Sequence, residues 1–148
     1  PELEDADLKA LLERVTDYIA HRTSDKVKIS THVPDSLPPV RLNVALFEWV
    51  IENLCKNAVD AMGGVGVLVI SVQETSRYWC IDVADTGKGI DKRYFETVFA
   101  PGYTTKKRGW GLGLSLARRI VVEYHSGSIF VKQSEINKGT IFRIELKK

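Results

Sequence analysis

The chain has 148 residues, 44% of them hydrophobic and 27% charged, and a formal net charge of +2. This is the composition of one ordinary globular domain with a sizeable core, which argues against disorder. No apolar run approaches the roughly 20 residues that a membrane helix needs, and the small net charge does not argue for nucleic acid, although Lys106-Lys107-Arg108 is a local basic cluster.

Pro1-Glu2-Leu3-Glu4-Asp5 is acidic where a signal peptide would be basic and then apolar, so the piece reads as soluble. Leu8, Leu11, Leu12, Val15, Tyr18 and Ile19 recur at spacings of three and four. They predict a helix over about 5–22, which either packs on the domain or continues an upstream helix. Val27–Val33 alternates as a half-buried strand does, and Pro34, Pro38 and Pro39 lead from it into a short extended piece. Asn43 is the expected N-cap of a central helix reaching Met62. Stepped at about 100° per residue, Phe47, Val50, Ile51, Leu54, Ala58, Ala61 and Met62 of that helix fall on one side and Asn53, Lys56, Asn57 and Asp60 on the other. Alone, the polar stripe reads as a solvated face. It can equally present carboxamide oxygens, a carboxylate and a cation to one ligand.

Gly63-Gly64 breaks the helix, and Val65–Glu74 and Arg77–Ala84 read as a hairpin. Its second strand ends in Asp85-Thr86-Gly87-Lys88-Gly89-Ile90, a carboxylate followed by glycines that allow a tight turn and close backbone approach. Residues 91–109 carry no long periodic pattern but include Tyr94, Phe95, Val98, Phe99 and Tyr103, so they read as a partly ordered loop or lid. Gly109-Trp110-Gly111-Leu112-Gly113-Leu114 then opens a helix to about Tyr124, with Leu114, Ala117, Ile120 and Val121 inside. Glycines at such a helix start expose N–H groups to an anion. Ser128–Ser134 and Thr140–Leu146 are two closing strands. Cys55 and Cys80 make neither a metal spacing nor a disulfide framework, and reduced, intracellular thiols are expected.

In this order, the elements resemble the catalytic and ATP-binding domain of sensor histidine kinases, in the superfamily that includes gyrase B, heat-shock chaperone and mismatch-repair ATPases. Glu52–Ala58 matches the N box, Asp85–Ile90 the first glycine box, Phe99–Lys106 the F box, Gly109–Leu114 the second glycine box and Lys138-Gly139-Thr140 the late Gly-Thr element. The resemblance implies a single α+β domain over residues 1–148, a two-layer α/β sandwich with helices packed on one face of a mixed sheet. Residues 1–24 are a candidate continuation of an upstream helical dimerisation and phosphoacceptor domain. It further implies ATP and Mg²⁺ as ligands. Asp85 would accept from the adenine amino group with Thr140 supporting it through water, while Gly87 and Gly89 let the backbone approach the ring beside Ile90. Asn57 would ligate Mg²⁺ directly, and Asn53 directly or through water. Lys56 and Lys106 are candidates for phosphate charge, the run Gly111, Leu112, Gly113 and Leu114 for backbone donors, and Asp60, Phe99, Tyr103, Thr104, Thr105 and Gly109 complete the ATP-contact set.

Three departures mark this chain. Asp60 stands where many sensor kinases place a lysine or arginine, Trp110 is bulkier than the usual residue between these glycines, and Trp49 lies along the polar stripe. ATP-hydrolysing relatives keep a glutamate base where this chain has Asn53, a carboxamide, which favours transfer to another nucleophile over hydrolysis. His21, His32 and His125 lack the flanking acid of a phosphoacceptor, so each reads as a surface or capping residue. The expected function is transfer of the ATP γ-phosphate to a histidine on a separate dimeric helical domain of a two-component sensor kinase, which passes it to a response regulator. That places the chain in the cytoplasm, with any membrane anchoring through other segments. The alternatives are a protein-serine or anti-sigma kinase and a non-catalytic ATP-binding scaffold.

Overall fold

Asn43 opens the helix around which the domain is built. Its side-chain oxygen accepts from the Leu46 N–H at 3.0 Å, capping α2 (Val44–Met62) as expected, and Gly63 closes the helix in the left-handed conformation at φ 65°. A computed structural model describes residues 2–104 and 113–148. Phe47, Val50, Ile51, Leu54, Cys55 and Ala58 bury the apolar side of α2.

The start of the chain differs from the helix expected over 5–22. Glu4–Ala6 form a strand, β1, and α1 runs from Leu8 to His21 behind an Asp7 cap whose carboxylate accepts from the Ala10 N–H at 3.0 Å. Glu4 and Asp5 look like a helix-start charge signal, but β1 pairs antiparallel with β3 (Val40–Leu42), the extended piece after the prolines. α1 packs beside α2, buries Leu8, Leu11, Leu12, Val15 and Ile19, and joins α2 through the Arg14–Glu48 pair at 2.8 Å.

A five-stranded mixed sheet lies under the helices, adding β2 (Val27–His32), β4 (Gly66–Glu74), β5 (Tyr78–Asp85), β6 (Ser128–Glu135) and β7 (Gly139–Lys147). The strand order is β2-β4-β5-β7-β6, with β2 and β4 parallel and the other pairs antiparallel. Period-2 alternation aims Leu68, Ile70, Val72, Ile81, Val83, Phe142, Ile144 and Leu146 into one core under the helices. On the other face, Arg143 donates two bonds to Asp82, at 2.7 and 2.9 Å, and covers the central strand there. The two-layer α+β architecture is therefore the one the sequence predicts.

α3 (Gly113–Arg119) continues into a π-helical segment, Ile120–Tyr124, which the 3.6-residue pattern alone does not distinguish from α-helix. Ala117, Ile120 and Val121 are buried as expected, and Leu114 is half-buried against the core. His125 then ends the segment. It is 7% exposed, so it is the capping alternative of the sequence reading rather than the surface one. Its Nε2 accepts from the Asn43 N–H at 3.1 Å, so Nδ1 carries the proton and donates to the Ile120 carbonyl at 3.0 Å. One neutral imidazole thus ties the end of the α3 segment to the start of α2, edge-on to Phe47. Replacing His125 with Ala removes both hydrogen bonds and opens a cavity, with an expected loss of about 2–4 kcal/mol in urea unfolding.

Candidate functional site

Asp85 ends β5 directly opposite Thr140 on β7, so the two side chains stand side by side on the helix-covered face of the sheet. The Asp85 carboxylate accepts from the Gly87 N–H at 2.8 Å and from the Thr140 backbone N–H. Burial nevertheless holds its pKa above the ordinary carboxylate value, because desolvation outweighs the two backbone hydrogen bonds. A carboxylate kept at a strand end against its own desolvation is a candidate binding residue.

The loop after Asp85 is fixed at both sides. The Lys88 N–H donates to the Ala61 carbonyl at 2.9 Å, and the Lys88 carbonyl accepts from the Asn137 N–H at 2.8 Å in the β6–β7 turn. The glycines serve this packing. A Cβ at Gly87 would stand 2.7 Å from Ala61 backbone atoms, and one at Gly89 (φ +77°) would stand 2.2 Å from the Glu135 carbonyl oxygen. Glycine is thus required here by backbone-on-backbone contact within the protein, in line with the tight turn and close backbone approach expected from the sequence. Gly139 makes the third such contact, its Cβ position 1.9 Å from the Asp85 carbonyl oxygen.

Ser134 is the residue that sequence reasoning missed. Its Oγ accepts from the Ile90 N–H at 2.7 Å, lies 2.7 Å from Thr140 Oγ1 and donates to the Gly139 carbonyl at 3.1 Å. A lone serine in a strand carries no signal of this. Only the pairing register, shifted between Val131 and Gln133, brings it to the loop.

Along α2, Asn53 and Asn57 lie one turn apart on the polar side, with Asp60 beyond them. The Asn53 side chain lies under the first residue of α3: a Cβ at Gly113 would stand 2.6 Å from Asn53 Nδ2. That nitrogen is buried and has no hydrogen-bond partner among the described residues. Lys56 is exposed, with its ammonium 6.0 Å from the Tyr18 ring centroid of α1, so in this conformation it lies toward α1. Trp49 is half-buried against the core.

The described part of the segment after the glycine loop, residues 91–104, carries short local order, in keeping with a partly ordered loop. Two 3-10 turns, Lys92–Tyr94 and Thr97–Phe99, carry it, and Asp91 caps the first by accepting from the Arg93 N–H at 2.9 Å. Phe99, expected among the ATP contacts, is 4% exposed. It packs edge-on to Phe142 at 6.0 Å with the Arg118 guanidinium 4.9 Å from its ring centroid, and so acts as an anchor for the segment. Tyr103 stacks on Tyr94 at 6.3 Å, and Thr104 is exposed. Thr105, Lys106, Gly109, Trp110, Gly111 and Leu112 lie outside the described residues.

Both cysteines are buried. Burial, with Glu52 nearby, pushes the Cys55 thiol up to about 12, and burial raises Cys80 as well, which disfavours the thiolate at both positions. No group of three or more histidine, cysteine, aspartate or glutamate side chains able to hold a metal occurs among the described residues. A metal here would take carboxamide oxygens and waters instead.

The layers, the strand order and the two connections converging on α2 make this the α+β fold of histidine kinase catalytic domains. The catalytic domain of histidine kinase ThkA superposes over 100% of this chain and 99% of its own, with a TM-score of 0.88 and 27% identity. Full-length ShkA in complex with AMPPNP aligns at a TM-score of 0.87 and 25% identity, covering 97% of this chain and 30% of ShkA. ThkA in complex with the response regulator TrrA shares the fold at a TM-score of 0.84 and 24% identity. Residues 43–148 match the model for histidine kinase-, DNA gyrase B- and HSP90-like ATPases, and the chain belongs to that family. Sensor histidine kinase ZraS of Escherichia coli K12 is 32% identical over 145 residues, 97% of this chain, and the chain spans 31% of the length of ZraS. Among the described residues no helix is long and apolar enough to cross a membrane.

Proposed function

We propose that this chain is the cytoplasmic catalytic ATP-binding domain of a two-component sensor kinase, and that it transfers the ATP γ-phosphate to a histidine on a separate dimeric helical domain serving a response regulator. The observation that carries the reading is Asp85, a buried carboxylate aligned with Thr140 and kept at a strand end at an electrostatic cost. Membership of the ATPase family and likeness to sensor kinases support it.

The residues fit the ligands the family implies. Asp85 and Thr140 offer oxygen acceptors to the amino group that adenine carries and guanine lacks at that position. Asn57 offers an amide oxygen to Mg²⁺, Asn53 a second one directly or through water, and Asp60 a carboxylate for metal-bound water. The Asn53 nitrogen under Gly113 has no partner among the described residues, so it offers a donor where α3 begins, which suits a phosphate held at that helix end. Bound Mg²⁺ would neutralise charge on the phosphates. Lys56 would have to turn from Tyr18 to meet them, and the other expected phosphate contacts, Lys106 and the backbone of residues 111 and 112, lie outside the described residues. Asn53 has no basicity, so no described side chain at this position activates water.

Titration calorimetry checks the metal assignment. ATP affinity is expected to fall at least tenfold, about 1.4 kcal/mol, when Mg²⁺ is chelated, and Asn57→Ala should lose most of that difference. A Mg²⁺ dependence unchanged in folded Asn57→Ala would remove Asn57 as the ligand.

A further inference from the structure

Ser134 makes three polar contacts with one hydroxyl, and the chemistry of its partners decides where the protons go. The Ile90 N–H can only donate, so it takes one Ser134 lone pair. The Gly139 carbonyl can only accept, so it takes the single Ser134 proton. The remaining contact, 2.7 Å to Thr140 Oγ1, is then satisfied only if Thr140 donates its proton to the second Ser134 lone pair. No other arrangement uses all three contacts. Thr140 is left with lone pairs alone, beside an Asp85 carboxylate that is itself acceptor-only when ionised.

We propose that Ser134 is a specificity-determining positioning residue: by holding the Thr140 proton away from the base site, it makes the pair Asp85 and Thr140 read as acceptors only. Such a pair accepts from an amino group, as on adenine, and opposes a ring carbonyl, as on guanine. Free to rotate, the Thr140 hydroxyl could turn its proton outward and satisfy that carbonyl. Ser134 also anchors Ile90, at the end of the loop beginning at Asp85, so the same side chain fixes both the polarity and the wall of the site. Ser134 does not itself need to touch the base.

The inference rests on the ATP-binding reading, and its test separates the two. ATP and GTP would each displace a fluorescent ATP analogue from the wild type, Ser134→Ala and Ser134→Thr, with thermal melting run alongside. The wild type should prefer ATP, Ser134→Ala should lose about tenfold of that preference because GTP is opposed less, and Ser134→Thr, which keeps the hydroxyl, should stay within about threefold of the wild type. A purely structural role would weaken both nucleotides alike. An unchanged ATP-to-GTP ratio in folded Ser134→Ala therefore overturns the proposal while leaving ATP binding intact. If Ser134→Ala does not fold, Thr140→Val against Thr140→Ser makes the same comparison: the valine variant should lose preference, and an unchanged ratio there is equally fatal. A wild type that binds neither nucleotide overturns the ATP reading and this proposal with it.

Discussion

Asp85→Asn is expected to reduce ATP affinity by about 10- to 150-fold, the equivalent of roughly 1.5–3 kcal/mol for a lost charge-assisted hydrogen bond. Asparagine exchanges an acceptor-only group for one that also donates, beside a base whose amino group needs an acceptor. The fold should survive. Because the native pKa of Asp85 is raised, the protonated carboxyl contributes stability that is fully present below its ordinary value near 3.8 and is lost as pH rises through the native value. At neutral pH the ionised carboxylate therefore burdens the native state, whereas asparagine carries no charge at any pH. The variant should be as stable as the wild type at low pH and at least as stable at pH 7, with the difference opening as pH rises through that window. Unfolding followed across this range reads the sign directly. A variant that loses ATP and also unfolds more readily at pH 7 than the wild type would make Asp85 a structural residue.

Much of this arrangement was legible because the features that specify it are local. The α2 stripe, its Asn43 cap and its glycine stop each depend on residues within a turn of one another, and the hairpin is two β-rich runs, Gly66–Glu74 and Tyr78–Asp85, joined by a short turn. The inner face of α3 was legible for the same reason. What escaped depends on pairing between distant segments. β1 is three residues long and exists only because β3 lies beside it, so Glu4 and Asp5 read as helix-start charge. The π-helical segment covers five residues, too few for its wider period to separate from 3.6. Phe99 sits inside a matched box, yet the box does not say which way its ring turns, and the core on Phe142 claims it. The glycines were recognised, but what presses against each was not. Ser134 was invisible because its partners, Ile90, Gly139 and Thr140, meet it through a shifted register and a loop that the chain reaches 44 residues earlier.

The widest consequence comes from Asn53 standing where a hydrolytic relative keeps its base. If the chain positions ATP for another nucleophile, the domain alone should bind Mg-ATP yet neither label itself nor release phosphate at an appreciable rate, since none of its three histidines is placed as an acceptor. His125 is buried between Asn43 and Ile120, and the His21 ring is held to the Asp17 carbonyl at 2.7 Å. His32, on β2, carries no flanking acid. Phosphoryl transfer is chiefly a matter of positioning, so adding the cognate dimeric helical domain in trans should restore it. The decisive measurement follows radiolabelled γ-phosphate with and without that partner. Label is expected on the partner alone, lost in acid and kept in alkali as phosphohistidine requires. Brisk phosphate release by the isolated domain, or label on the partner that resists acid, would contradict it.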